Sequence, residues 1–193
     1  RKANMYLFFD TETTGVPRNW KAPLTDLDNW PRMVQIAWMT YDDEGNQKNV
    51  QNHIIVPEGY RIPLGAARVH GITTERATAE GVDLKMVLER FAESLRTTHT
   101  VVAHNISFDE KIVGAEFLRK KVEHDFFDKK QFCTMKSTTD VCKLPGRYGY
   151  KWPTLDELHT FLFDERFENQ HDALADITAT ARSFWELKKR DLI

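Results

Sequence analysis

Cysteine is nearly missing from this 193-residue chain: Cys133 and Cys142 lie nine positions apart, with no CxxC pair. That excludes a disulfide-stapled scaffold and a thiolate zinc site, and two reduced thiols point to the cytoplasm. Long apolar runs are missing as well. No segment approaches the roughly 20 residues a membrane span requires, and no secretory signal opens the sequence. Positive charge is not in excess either, since 27 Lys and Arg stand against 29 Asp and Glu for a net −2. A protein that grips long duplex nucleic acid through its phosphates would carry a basic surplus, whereas an enzyme holding a few nucleotides at one end need not. Internal repeats and low-complexity tracts are absent. With 41% hydrophobic and 29% charged residues, the chain reads as one domain over residues 1–193 with a substantial core.

The hydrophobic pattern changes period along the chain. Tyr6 to Asp10 is a short apolar strand ending in an acid, and Met33 to Tyr41 and Val50 to Val56 are further strands. The segment Asp42-Asp43-Glu44-Gly45-Asn46 between them is turn chemistry, so the pair forms a hairpin. Val16 to Pro31, with its prolines and two tryptophans, is long for a loop without secondary structure, a feature common at functional sites. From Leu84 the spacing becomes helical through Val87, Leu88, Phe91 and Leu95. Thr100 to Ala103 is a fourth strand, and Phe108, Ile112, Ala115, Leu118 and Val122 form one helical stripe. Phe132 to Thr134 reads as a brief fifth strand. Thr154 with Glu157 forms a capping-box pattern, and a last helix runs from about Asp172 to Lys189. A hairpin followed by strand–helix alternation indicates an α/β domain with a mixed sheet.

Three clusters carry chemistry. In Phe9-Asp10-Thr11-Glu12-Thr13-Thr14-Gly15, Asp10 and Glu12 are two apart on a strand and project from the same face. Carboxylates that close repel, and a hard divalent cation with oxygen ligands relieves the conflict. Asp109 lies in the first helical turn after Val101-Val102-Ala103-His104-Asn105, where an acid also complements the helix dipole. His171 and Asp176 are five apart, about 500° around a helix, and so cannot share a face. They converge if His171 precedes the helix and Asp176 sits one turn inside. Ala173, Ala175, Ala179 and Ala181 would let that helix approach the sheet closely and bring Asp176 toward Asp10.

Together, Asp10-x-Glu12, Asp109 after His104-Asn105, and His171 five before Asp176 resemble the DEDDh 3′→5′ exonucleases. That family includes the proofreading epsilon subunit of bacterial DNA polymerase III and RNase T-like nucleases. The likeness spans residues 6 to 185, and His70-Gly71-Ile72-Thr73 matches a further family segment. It implies a ribonuclease H-like fold, a mixed five-stranded sheet flanked by helices. It also implies two Mg²⁺ or Mn²⁺ ions held by Asp10, Glu12, Asp109 and Asp176, with Asp10 shared between them. His171 is then the candidate general base. Glu12 and Thr13 are expected at the 3′-hydroxyl, Val69 and His70 at the base, and His104 and Asn105 near the nucleotide. The implied activity is metal-dependent release of nucleoside 5′-monophosphates from a single-stranded 3′ end, with DNA favoured over RNA and a polymerase as a candidate partner.

Three ambiguities stay open at this level. An RNA-trimming exoribonuclease shares these motifs, so the sequence does not separate it from a DNA enzyme, and no reader of the 2′-hydroxyl is identified. Lys143 to Trp152 mixes cations and aromatics, which suits base stacking equally with a solvated loop over a buried Trp152. A noncatalytic binding module on the same fold is the rival from another class. Degenerate sites lose an acid or the histidine, and all five positions are intact here.

Overall fold

The computed structural model describes residues 4–193. Its centre is a five-stranded sheet in the order β3-β2-β1-β4-β5, formed by β1 (Tyr6–Thr13), β2 (Met33–Tyr41), β3 (Gln47–Ile54), β4 (Thr100–Ala103) and β5 (Lys130–Cys133). β1 pairs antiparallel with β2, and β2 with β3. β4 runs parallel to both β1 and β5. The sheet is therefore mixed, with a hairpin half and a parallel half, as the change of period along the chain predicts. The Asp42–Asn46 turn closes that hairpin. Asp42 Oδ1 accepts from the backbone N–H groups of Glu44 and Asn46 at 3.0 and 2.9 Å.

Helices cover both faces. The chain continues through α1 (Leu64–His70), α2 (Thr74–Glu80) and α3 (Leu84–Arg96) to β4. Then follow α4 (Ile106–Lys120), the short α5 (Thr134–Ser137) and α6 (Thr139–Cys142), α7 (Leu155–Phe163) and α8 (Ala173–Lys189). A two-residue pair, β6 (Pro145–Gly146) and β7 (Gly149–Tyr150), makes a separate small hairpin. The two-residue period of β1 divides the core. Leu7 and Phe9 pack with α3 and α4 residues such as Leu88, Phe91, Ile112 and Phe117. Phe8 points the other way, against Ala181 and Phe184 of α8. Beyond Phe9 the same alternation continues into Asp10, Thr11 and Glu12, so the strand that organises the core also deals out the acids.

Some boundaries differ from expectation. β3 begins at Gln47, three residues before the apolar stretch 50–56, and ends at Ile54, two residues before that stretch does, because its Gln-Lys-Asn start pairs with β2 through the backbone while facing solvent. β5 likewise begins at Lys130, on an exposed sheet edge that needs no apolar pattern. The capping box at Thr154 and Glu157 is present in full. α1 and α2 are short and mostly exposed, so periodicity did not announce them.

The long segment 16–31 is pinned. The Trp30 indole N–H donates to the Pro23 carbonyl at 3.0 Å, and Asn29 exchanges hydrogen bonds with the Asn19 backbone. Leu24 lies over Gly114 of α4, where an added Cβ would come within 2.8 Å of the leucine side chain. Beneath the segment, Glu116 is fully buried and paired with both Arg32 (2.9 Å) and Arg119. Arg119 also donates to the carbonyls of Leu27 and Trp30 at 2.6 and 2.7 Å. Removing the shared anion leaves two guanidinium groups facing each other with little water. Glu116→Ala is expected to destabilise the fold by about 3 kcal/mol, seen as a lower urea midpoint with an unchanged slope. An unaltered midpoint would contradict this account of the segment.

Candidate active site

Four carboxyl groups gather where β1 ends. Asp10 and Glu12 leave one face of the strand, and Asp176 comes down on them from the first turn of α8. Asp10, Glu12 and Asp176 each offer a carboxylate oxygen, and these atoms lie within 4.8 Å of one another. α8 comes this close because Ala37 of β2 is small and receives Ala173 and Ile177. Of the four alanines expected to allow the approach, Ala173, Ala179 and Ala181 are buried, while Ala175 is half-buried on the helix flank.

Asp109 arrives from the other side of the sheet. β4 is paired with β1 only as far as Phe8 and ends at Ala103, leaving the last stretch of β1 without a neighbour on that edge. The start of α4 fills the gap. One oxygen of buried Asp109 accepts from the Thr11 backbone N–H at 3.2 Å and from the Thr11 hydroxyl at 2.8 Å. The carboxylate thus takes the place of a strand neighbour, and Thr11 sets its position.

The electrostatics are those of clustered acids that resist ionisation together. Burial, then the charges of Asp109, Asp176 and Glu12, raises the Asp10 carboxyl far above its ordinary value. Burial, then Asp176 and Asp109, pushes Glu12 up to about 9. Asp109 and Asp176 each rise to about 7, chiefly through burial. Hydrogen bonds from Thr11 to Asp109, and from the His171 backbone to Asp176, oppose these rises in part. The Asp10 Oδ2 atom is buried without any hydrogen-bond partner. A buried, unpartnered carboxylate oxygen among three other acids is costly unless a cation meets it, so the donor set fits a divalent ion with oxygen ligands.

His171 stands just ahead of α8 with φ 66°, the loop position that the five-residue spacing requires. Its side chain is exposed, and its backbone N–H donates to Asp176 Oδ1 at 3.2 Å.

The remaining predicted residues divide. The two ring nitrogens of His70 are both used: Nδ1 accepts from the Ile72 N–H at 3.1 Å, and Nε2 faces the Thr13 carbonyl at 3.1 Å. His70 thereby clamps the end of α1 onto the end of β1. Gly71 takes the left-handed conformation (φ 75°) that ends the helix there. Val69 beside it is 56% exposed at the same rim. His104 is also a clamp, with Thr134 on one nitrogen and the Pro153 carbonyl on the other, each at 2.9 Å. Burial lowers it to about 4, so it is neutral near pH 7. Asn105 takes a left-handed conformation (φ 69°) where the chain turns into α4. Phe108 packs against the core and also meets Trp20, itself 56% exposed, with ring centroids 5.6 Å apart.

One positioning residue escaped the sequence reading. Gln35, opposite Glu12 on β2, is buried and donates to Asp172 Oδ1 (3.0 Å) and Asn52 Oδ1 (2.9 Å). Its own oxygen accepts from the Ala173 N–H at 3.1 Å. Asp172 caps α8 through the Ala175 N–H. Gln35 therefore fastens the start of the helix that carries Asp176 to the strand beside Glu12. The available signal was a lone amide inside the apolar run Met33–Met39, since a buried amide needs partners.

The raised carboxyls set a pH dependence. Without cations, the folded chain keeps protons that the unfolded chain has released, over the interval from each ordinary value (3.8 for Asp109 and Asp176, 4.5 for Glu12) to its raised one. More protons in the folded state mean that these acids make stability fall as pH climbs, a fall that stands alone from about 6.5 to about 9, because below 6.5 the lowered His104 acts in the opposite sense. Thermal unfolding in EDTA across that range should show the decline, and excess Mg²⁺ should remove most of it at the alkaline end. A flat profile in EDTA would refute the proton assignment.

A family model described as "Exonuclease" matches residues 7–184. The DNA polymerase III subunit epsilon of Buchnera aphidicola subsp. Acyrthosiphon pisum (strain APS) is 27% identical over 175 residues, which cover 88% of this chain and 67% of that protein. Among solved structures, the zinc-bound complex of E. coli exonuclease I with single-stranded DNA superposes with a TM-score of 0.76 at 22% identity, over 97% of this chain and 41% of that one. The same enzyme with a dT13 oligonucleotide gives 0.77 at 22% identity, over 97% and 42%. The chain thus spans about two-fifths of the length of these solved proteins and shares their fold. With the match running through nearly every element described, and all five motif positions intact, the chain belongs to the exonuclease family of the DEDDh type.

Proposed function

We propose that residues 1–193 form a single, cytoplasmic, metal-dependent 3′→5′ exonuclease domain. It removes nucleoside 5′-monophosphates from single-stranded ends, DNA in preference to RNA, with a polymerase as a candidate partner. The observation that carries the reading is the unpartnered, buried Asp10 oxygen at the centre of acids from β1 and α8. The relatives favour DNA: one is a DNA polymerase subunit, and exonuclease I has been solved with single-stranded DNA. No helix among the described residues is long and apolar enough to cross a membrane.

Asp10, Glu12 and Asp176 would hold one Mg²⁺ or Mn²⁺ ion, and Asp10 with Asp109 a second. Such a pair, when bound, supplies positive charge to both the attacking and the leaving oxygen of a phosphodiester. The chain's own residues do the rest. Thr11 and Gln35 fix the directions from which Asp109 and Asp176 approach, so the cage is assembled before substrate arrives. His171, exposed at the rim and tied to Asp176 by its backbone, takes a proton from the attacking water onto a ring nitrogen. An imidazole does this near neutral pH. Glu12 and the backbone at Thr13 meet the terminal sugar in this reading. Val69 offers an apolar edge to the base, while His70 and His104 hold the walls and Asn105 turns the chain at the cleft.

A 5′-labelled single strand should give a ladder of progressively shorter products with Mg²⁺ or Mn²⁺, and none in EDTA. DNA should be consumed faster than RNA of the same sequence. Immediate release of the 5′ label as mononucleotide would contradict the direction. His171→Ala should slow the reaction by about 10²–10⁴ while leaving thermal stability and cation affinity near wild type. Near-normal turnover in that variant would remove the histidine from the mechanism.

A further inference from the structure

The short hairpin of β6 and β7 has no part in the cage, yet its composition differs from that of the rest of the surface. From Lys143 to Pro153 there are three cations (Lys143, Arg147 and Lys151) and no acid, in a chain whose net charge is −2. Six aromatic side chains are well exposed among the described residues, and half of them fall within five positions here: Tyr148 at 90%, Tyr150 at 53% and Trp152 at 57%. The reading in which Trp152 lies buried under a solvated loop is thereby overturned. Cations sit over these rings. The Arg147 guanidinium is 5.2 Å from the Tyr148 centroid, and Lys136 Nζ is 5.6 Å from that of Trp152.

The arm is also built and anchored. Gly149 adopts φ +126°, which strains any other residue, and a Cβ on Gly146 would meet the Gly149 carbonyl at 2.9 Å. These two glycines let so short a pair of strands close. At its root, the Pro153 carbonyl accepts from His104, one residue before Asn105 and the helix that presents Asp109. The Lys151 ammonium is held by Glu157 of α7 at 2.7 Å. The aromatic arm therefore stands beside the segment that delivers one of the site's acids.

We propose that this hairpin is a stacking platform for the single strand that leads into the site, binding nucleotides upstream of the 3′ terminus. Tyr148, Tyr150 and Trp152 take the faces of unpaired bases, and Lys143 and Arg147 meet the phosphates. Every base has an apolar face, so such a platform reads strandedness and length, not sequence. The inference rests on the nuclease reading above for the identity of the strand. The three exposed aromatic faces favour unpaired bases over an acidic protein surface, and the absence of any acid on the arm disfavours a basic one.

The test compares wild type with Tyr148→Ala, a change at a side chain so exposed that the fold cannot depend on it, and with Tyr148→Ala/Tyr150→Ala/Trp152→Ala. Anisotropy of a labelled oligothymidylate of about twenty nucleotides, measured in Ca²⁺, should show Kd rising about tenfold for the single change and about a hundredfold for the triple one. In turnover assays, the loss of kcat/KM should grow with strand length and be smallest on a trinucleotide. Unchanged anisotropy in the triple variant overturns the proposal, as does an equal loss on short and long substrates, or binding of a fully paired duplex as tight as that of the single strand. Anisotropy reads the arm without turnover. A wild type that binds through the arm yet hydrolyses nothing would overturn the nuclease reading and leave the platform standing.

Discussion

Like charges held together are the constraint on which this structure turns. Asp10, Glu12, Asp109 and Asp176 converge on one end of β1, where burial and mutual repulsion together oppose ionisation. Nothing in the local sequence would keep them there against that cost. The clustering persists because the hydrophobic core holds the elements that carry the acids, with Phe8 against α8 on one face and Phe9 against α3 and α4 on the other. Burial of large aromatic surfaces far from the site thus stabilises an arrangement that is unfavourable within it.

The same strand supplies the geometry. Its two-residue alternation sends Asp10 and Glu12 toward α8 and Thr11 toward α4, and each helix answers with one acid. Asp109 occupies the place where β4 would otherwise have continued, taking up a backbone N–H that the sheet leaves unpaired. Asp176 is set by a second device, the Gln35 amide bridging β2 to the cap of α8. Two neutral side chains, Thr11 and Gln35, therefore decide where two of the charged ones stand. His70 and His104 do comparable work at the rim, each spending both ring nitrogens on fastening loops. The histidine proposed for chemistry, His171, is the one whose side chain is left exposed at the site.

Much of this was legible beforehand because the responsible patterns are local. The apolar run of β2, the Asp42–Asn46 turn, the Thr154 capping box and the helical stripe of α3 each encode their element in a few adjacent residues, whereas the stripe expected on α4 misplaces Leu118, which is 43% exposed while Val113 and Phe117 are buried. The acids were legible for a different reason, since their order and spacing resemble a known family. The starts of β3 and β5 were not, because edge strands facing water need no apolar alternation. α1 and α2 escaped because seven-residue helices with one buried face-residue or two carry almost no periodicity. The fastening roles of Gln35, His70 and His104 depend on partners 17 to 138 residues away or on bends in the chain, which no local pattern reveals. Trp30 and Trp20 looked alike in sequence, yet one is buried beneath its loop and the other stands half in solvent against Phe108.

If the acids are held as a cage for cations, metal binding must be coupled to proton release and must depend on the shared ligand. Calorimetric titration of Mn²⁺ into the apo protein near pH 7, repeated in buffers of different ionisation enthalpy, measures both at once. The account predicts saturable uptake of two ions per chain with protons expelled, and loss of that uptake in Asp10→Asn. Weak, unsaturable heats, or equal binding by Asp10→Asn, would contradict it.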